Sequence, residues 1–178
     1  MRVFKDFIKG DEMMSEIFPF TLEYEETIMK VQSHYKPADK VGEINIGRGD
    51  EFGGGEPEQE VEDEPVEKVC DIPYNYKLQE YSMSKKEFMS YIKEYFKKIV
   101  DHLEKSGKSN RVETFKKGAT AFTKFIVPKF DDLTLYIGQN GEGDDGLEGG
   151  IAISYWENES APGPVLYFFK DALDEVKY

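Results

Sequence analysis

The chain of 178 residues is long enough for one domain, 1–178, and its 39% apolar content can supply a core of ordinary size. A net charge of −13 excludes duplex DNA and anionic membranes as main partners of the surface as a whole, because both repel an anion. The sequence has no apolar run long enough to span a membrane, no apolar stretch of a signal peptide and only one cysteine, Cys70. These features predict a soluble, cytoplasmic protein.

The N-terminal part of the chain is predicted to form strands. Val3–Ile8 is one, and Phe20–Val31 is a longer stretch that alternates in part and is rich in β-branched and aromatic residues. His34 lies near the end of this stretch, and His102 is predicted to be a solvated surface residue. Neither has a Cys or Ser partner at a recognisable motif spacing, so a nucleophilic triad is not indicated.

An acidic segment follows at residues 42–67, where ten carboxylates against one arginine give a net charge of −9. It holds six glycines and few bulky apolar residues, so burial cannot offset its chain entropy, and it is predicted to be a mobile insertion. Its carboxylates offer oxygen ligands without a rigid frame, which predicts weak calcium binding, with diffuse charge screening as the alternative. The candidate ligands are Glu56, Glu58, Glu60, Glu62, Asp63 and Glu64.

A helical hairpin is predicted over residues 84–128. Ser84 and Glu87 have the spacing of a capping box, and the apolar residues behind them recur every three or four positions. Asn110 and Glu113 indicate a second box in front of a second amphipathic helix. Two long helices with a short connection form an αα-hairpin, and the first is long enough to project beyond a small domain.

The charge of this hairpin is opposite to that of the acidic segment. Residues 85–129 hold twelve bases and five acids, a net charge of +7. Lys93 and Lys97 share a helical face, as do Lys117 and Lys124. This pattern predicts an electrostatic docking surface for an acidic partner, although a solvated surface produces the same pattern. The candidate residues are Lys86, Lys93, Lys97, Lys98, Lys116, Lys117 and Lys124.

Three more strands are predicted after the hairpin. Leu133–Ile137, Ile151–Trp156 and Val165–Phe169 are separated by turns rich in Gly, Asn and Pro. Several strands with one inserted helical pair predict an α+β fold. Without a C-x-x-C pair or a spacing that brings carboxylates together, neither zinc nor an enzyme active site is indicated.

Short motifs occur along the whole chain in a specific combination. They include Val3-Phe4-Lys5-Asp6 at the start, Lys85-Lys86-Glu87-Phe88 at the hairpin entry, Leu135-Tyr136-Ile137-Gly138 after the hairpin and Phe168-Phe169-Lys170-Asp171 near the end. In this combination they resemble the translationally controlled tumour protein family. The resemblance covers essentially the whole chain except the acidic segment.

The resemblance implies a β-tent-like core, a protruding α-helical hairpin and a flexible acidic loop. It implies a non-catalytic interaction protein, without a required cofactor, that binds calcium weakly, associates with tubulin and stabilises microtubules. It also implies exchange-like contact with small GTPases, for which Asp11 and Glu12 match the family position, and protein contacts that oppose cell death. A weak calcium-responsive buffer or a chaperone is the alternative, and an uncharacterised hydrolase is a more distant one.

Three positions depart from the family's pattern. Ile46-Gly47-Arg48-Gly49 stands where the family has Ile-Gly-x-Asn before the acidic loop. Gly138-Gln139 replaces Gly-Glu, which removes one carboxylate near the implied GTPase face. Many members end in Cys whereas this chain ends in Tyr178, so a dimer linked by a C-terminal disulfide is not available, and a monomer is expected.

Overall fold

The structure, a computed structural model, describes residues 1–37, 68–144 and 146–178. Within these ranges it is an α+β fold, as predicted. The strands are β1 Arg2–Asp6, β2 Glu12–Ser15, β3 Phe20–Glu23, β4 Ile28–Gln32, β5 Tyr35–Pro37, β6 Lys68–Cys70, β7 Gln79–Tyr81, β8 Leu133–Ile137, β9 Glu142–Gly143, β10 Gly146–Leu147, β11 Ile151–Tyr155, β12 Val165–Phe169 and β13 Leu173–Lys177. The helices are α1 Asp71–Tyr76, α2 Lys85–Lys105 and α3 Val112–Ile126. None of the helices in the described ranges combines the length and apolarity that crossing a bilayer requires.

Two antiparallel sheets form the body of the protein. The larger has six strands in the order β3-β4-β12-β11-β8-β7, and the smaller has three in the order β13-β1-β2. Two short ribbons, β5-β6 and β9-β10, stand beside them. The smaller sheet joins the two ends of the chain, since β1 pairs with β13 over five residues.

Strand β12 shows why the larger sheet is the middle layer. All five of its residues are buried, and their side chains alternate between its two faces. Val165, Tyr167 and Phe169 pack in the core on the side of α2 and α3. Leu166 and Phe168 pack in a second core, which includes side chains of β1, β2 and α1. Because a core packs on each face of β12, both faces need apolar side chains, and the sequence of this strand is therefore continuously apolar.

The predicted helical hairpin is confirmed. The hydroxyl of Ser84 accepts a hydrogen bond from the Glu87 backbone N–H (3.1 Å), and the Glu87 carboxylate accepts one from the Ser84 N–H (2.9 Å). The buried stripe of α2 extends to Leu103, and that of α3 begins at Val112. Because apolar side chains reach the tip, the pair packs along the sheet over its length.

The predicted second capping box at Asn110 is wrong. A 3₁₀ turn, Ser109–Arg111, runs directly into α3, and Arg111 precedes the helix with φ −87° and ψ −15°. An N-cap side chain needs an extended backbone to reach back to the first helical N–H groups. The continuous turn removes that geometry, and α3 has no side-chain cap.

The stretch Phe20–Val31 was predicted as strand throughout, but it is two strands and a turn. Tyr24, Glu25 and Glu26 have φ angles of +54°, +59° and +64°, which reverse the chain between β3 and β4. A non-glycine residue in this conformation costs on the order of 1 kcal/mol. Contacts from elsewhere must therefore stabilise this turn.

Candidate interaction sites

All seven candidate lysines of the hairpin are exposed. They lie outward because the apolar stripes of α2 and α3 face the sheet. Lys97 pairs with Glu94 (3.5 Å) and Lys117 with Glu25 (3.8 Å), and both pairs are exposed. Among the described residues the remaining five have no carboxylate at ion-pairing distance; these are Lys86, Lys93, Lys98, Lys116 and Lys124. The positive charge of the hairpin is therefore largely uncompensated by described neighbours.

The lysines do not form one continuous face. Lys97 and Lys116 line a groove of about 430 Å³ between α2 and α3. Lys98 lies on the other side of α2, along a groove of about 440 Å³ that it shares with Glu94 and Tyr91. The spacing of the lysines along the two helices could not show which of them border which groove.

Arg111 attaches the tip of the hairpin to the sheet. Its guanidinium donates two hydrogen bonds to the Asp171 carboxylate, at 2.7 and 3.2 Å, and this contact raises the pKa of Arg111. It also donates to the backbone carbonyls of Glu25 (3.3 Å) and Glu26 (3.4 Å). Arg111 thus bridges α3, the strained β3–β4 turn and the segment after β12. From the sequence, Arg111 is only one of the twelve bases of the hairpin, because no local pattern indicates that its partner lies 60 residues away.

The adjacent acids Asp11 and Glu12 differ in environment. The Asp11 carboxylate accepts hydrogen bonds from the Asn140 backbone N–H (2.9 Å) and side-chain amide (2.8 Å), and it packs against Gly138. Asp11 therefore holds the β1–β2 turn to the turn after β8. The Glu12 side chain is exposed, and its carboxylate accepts no hydrogen bond from any residue in the described ranges. Of the two, Glu12 has the carboxylate that a partner can reach.

A buried carboxylate, Asp6, lies next to this turn. Its Oδ2 accepts a hydrogen bond from the Lys9 N–H (3.0 Å), whereas no described group satisfies Oδ1 with ordinary hydrogen-bond geometry. A Cβ atom added at Gly150 would lie 2.6 Å from this Oδ1 and 2.8 Å from the Tyr95 hydroxyl. Burial raises the pKa of Asp6, and nearby backbone N–H groups partly offset that effect. The sequence does not indicate that Asp6 is buried near Gly150 and Tyr95, because Asp6 lies in an N-terminal segment with several other charged residues.

His102 and Cys70 contribute to packing, whereas the His34 side chain is 59% exposed. His102 stacks on Phe7 with ring centroids 4.4 Å apart and lies 3.3 Å from Asp174, and its side chain is 30% exposed, so it is half-buried at the surface rather than fully solvated. Phe7, in the loop after β1, covers one face of this imidazole on α2. Cys70 is buried, and burial raises the pKa of its thiol.

The calcium prediction cannot be located on the fold. The acidic segment 42–67 and its candidate ligands Glu56, Glu58, Glu60, Glu62, Asp63 and Glu64 lie outside the described residues. Within residues 1–37, 68–144 and 146–178, no group of three or more His, Cys, Asp or Glu side chains is arranged to hold a metal ion.

The fold and its exposed lysines define a class: an α+β protein that presents a basic helical hairpin on one side of a central antiparallel sheet. The chain belongs to the translationally controlled tumour protein family, whose sequence profile matches residues 1–174. The translationally-controlled tumor protein homolog 1 of Dictyostelium discoideum is 33% identical over 183 residues, covering 100% of both chains. The homolog of Lumbricus rubellus is 33% identical over 178 residues, covering 99% of each.

A solved structure supports the same assignment. The translationally controlled tumor-associated protein p23fyp of Schizosaccharomyces pombe matches the fold with a TM-score of 0.75, 26% identity and 100% coverage of both chains. The family resemblance and the α+β class predicted from sequence are both confirmed.

Proposed function

We propose that the chain is a non-catalytic cytoplasmic interaction protein that docks an acidic protein partner on the exposed lysines of its hairpin. The observation that carries the proposal is the set of exposed lysines on α2 and α3, five of which lack a described ionic partner. Forming an interface with such lysines does not require breaking strong intramolecular ion pairs. Their attraction for an anionic surface would speed association and weaken with salt.

Tubulin is the favoured partner because the sequence motifs resemble a family for which tubulin and microtubule association is expected. The resemblance also suggests stabilisation of microtubules, contact with small GTPases and contacts that oppose cell death. Among these proposed interactions, tubulin association through electrostatic docking on the hairpin has the most direct support in the geometry.

Charge reversal tests the proposal. Lys93, Lys97 and Lys117 replaced together by Glu should abolish co-sedimentation with microtubules, and wild-type binding should fall steeply with added salt. Replacement of the exposed Lys68, Lys77 and Lys177 by Glu makes the same change in net charge outside the hairpin, and it should have a much smaller effect. Unchanged co-sedimentation of the hairpin variant, with a wild-type circular dichroism spectrum, would contradict the proposal.

Glu12 supports a second interaction, contact with a small GTPase. Its exposed carboxylate, with no described hydrogen-bond donor, lies beside the fixed Asp11. Glu12→Ala should weaken binding to a responsive member of a panel of purified GTPases and leave the melting temperature nearly unchanged. Asp11→Ala should instead lower stability, by about 1–3 kcal/mol, because the Asn140 amide groups lose their acceptor. A large loss of stability in Glu12→Ala would make Glu12 structural.

A weak calcium-responsive buffer or chaperone is the alternative function, and an uncharacterised hydrolase is the distant one. Calcium titration followed by amide exchange separates a buffer from an adaptor, since a buffer gains order at modest calcium. Competition by equal magnesium or modest salt would indicate diffuse screening.

A further inference from the structure

An open groove separates α2 from α3 on the solvent side of the hairpin. Its volume is about 430 Å³, and its apolar floor is formed by Phe96, Val100 and Phe115. Phe115 is fully buried, whereas Phe96 and Val100 are half-buried. The rings of Phe96 and Phe115 pack edge to face with centroids 5.6 Å apart, an arrangement that aromatic pairs favour. A groove of this volume can accommodate a bulky side chain.

The rim of the groove carries cations that a partner can engage. Lys116 has no carboxylate at ion-pairing distance in the described part of the chain. Lys97 is 3.5 Å from Glu94, but both side chains are mostly exposed, and such a pair contributes only a few tenths of a kcal/mol. The rim also holds two acids on α2, Asp101 and Glu104. Asp101 lies 3.0 Å from Lys105 in a pair that is as exposed, and therefore as weak, as that of Lys97.

We propose that this groove receives a bulky apolar side chain from an acidic segment of a partner protein, with the segment's carboxylates on Lys97 and Lys116. The proposal rests on the proposed docking function and names its anchor point. The residues that line the groove include two lysines and two acids, but the hairpin around it, residues 85–129, carries a net charge of +7, and this surrounding charge favours an acidic occupant. Glu104 is the other rim acid and should disfavour carboxylates at its position, which directs the acidic flank toward the two lysines.

Two synthetic glutamate-rich peptides of equal length and charge provide the probe, one with a central Phe and one with Ser in its place. The Phe peptide should bind the full-length protein roughly tenfold more tightly, the factor expected from burying most of one aromatic side chain. Equal affinities for the two peptides would overturn the proposal, since they would show that charge alone accounts for binding.

A matched pair of variants tests the location. Thr120 is exposed on the groove rim, whereas its exposed neighbour Ala121 does not line the groove. Thr120→Phe should fill the groove and remove the tenfold preference for the Phe peptide, while Ala121→Phe should keep it. Both positions face solvent, so both variants should fold, which circular dichroism and thermal melting check. A retained preference in Thr120→Phe would overturn the proposal.

Charge changes on the rim separate this inference from the docking function itself. Glu104→Gln should tighten and Lys116→Gln should weaken binding of the Phe peptide, each by about two- to fivefold. If Thr120→Phe keeps the wild-type preference for the Phe peptide but the hairpin charge-reversal variant no longer binds the peptides, the groove is excluded as the anchor point and docking on the hairpin stands. If the charge-reversal variant still binds both peptides, the docking function fails. A wild-type dimer that dissociates in Thr120→Phe would show a second copy in the groove and overturn the proposal.

Discussion

Replacement of Arg111 by Met should destabilise the protein far more than the loss of an ordinary surface charge. The Asp171 side chain is only 9% exposed, and Arg111 supplies two of its hydrogen bonds. Removing one partner of a buried pair costs about 3–5 kcal/mol, because the remaining charge is left uncompensated. Arg111 itself is 26% exposed, so some water can reach the site, and we expect a loss of about 2–3 kcal/mol.

The two partners should also be unequal. Asp171→Asn leaves a guanidinium that can turn toward solvent and still bind the carbonyls of Glu25 and Glu26, so it should cost less than Arg111→Met. Urea unfolding of both single variants and the double variant measures the coupling, which should exceed about 1 kcal/mol. Lys117→Gln is the matched control, since its pair with Glu25 is 3.8 Å long and mostly exposed, and it should change stability by less than about 0.5 kcal/mol. A loss for Arg111→Met as small as that of the control, or additive single effects, would refute the reasoning.

Two further predictions concern close packing and buried charge. Gly118→Ala should lower stability by about 1–2 kcal/mol despite its better helix propensity, because the added Cβ would lie against the Tyr24 carbonyl and 2.5 Å from Thr27 Oγ1. Urea unfolding checks this against Thr120→Ala on the same helix, and an equal or higher stability for Gly118→Ala would contradict it. Burial raises the pKa of Asp6 above 3.8, so the native state takes up its proton at higher pH than the unfolded chain. Wild type should therefore gain stability relative to Asp6→Asn as pH falls from neutral through the raised pKa, and the difference should level off below 3.8. A difference between their urea midpoints that does not change with pH would contradict the raised pKa of Asp6.

Local signals in the sequence determined much of the secondary structure. Strands β8 and β12 have the predicted bounds, Leu133–Ile137 and Val165–Phe169, because apolar runs there end at turn residues. The cap at Ser84 forms as predicted, since both of its hydrogen bonds lie within four residues of chain. The family and the α+β class also follow from linear motifs and the order of the elements.

Other elements depend on contacts between distant parts of the chain. Strands β2 and β13 were not predicted, since each is stabilised by pairing with β1 rather than by a strong pattern of its own. Helix α1 was not predicted either, because it has only six residues and contains Pro73, a residue that disfavours a helix interior. The strained turn at residues 24–26 has no glycine to mark it and depends on Arg111.

The candidate sites divide in the same way. Composition and helical period alone indicated that the hairpin is basic and that its lysines face away from the apolar stripe, because both properties follow from residue order within one helix. Only the tertiary structure decided that Lys97 and Lys116 border one groove and Lys98 another, and that Asp11 is bound to Asn140 while Glu12 stays exposed. These distinctions depend on which side chains from separate elements meet, and a residue's own neighbours in sequence carry no information about that.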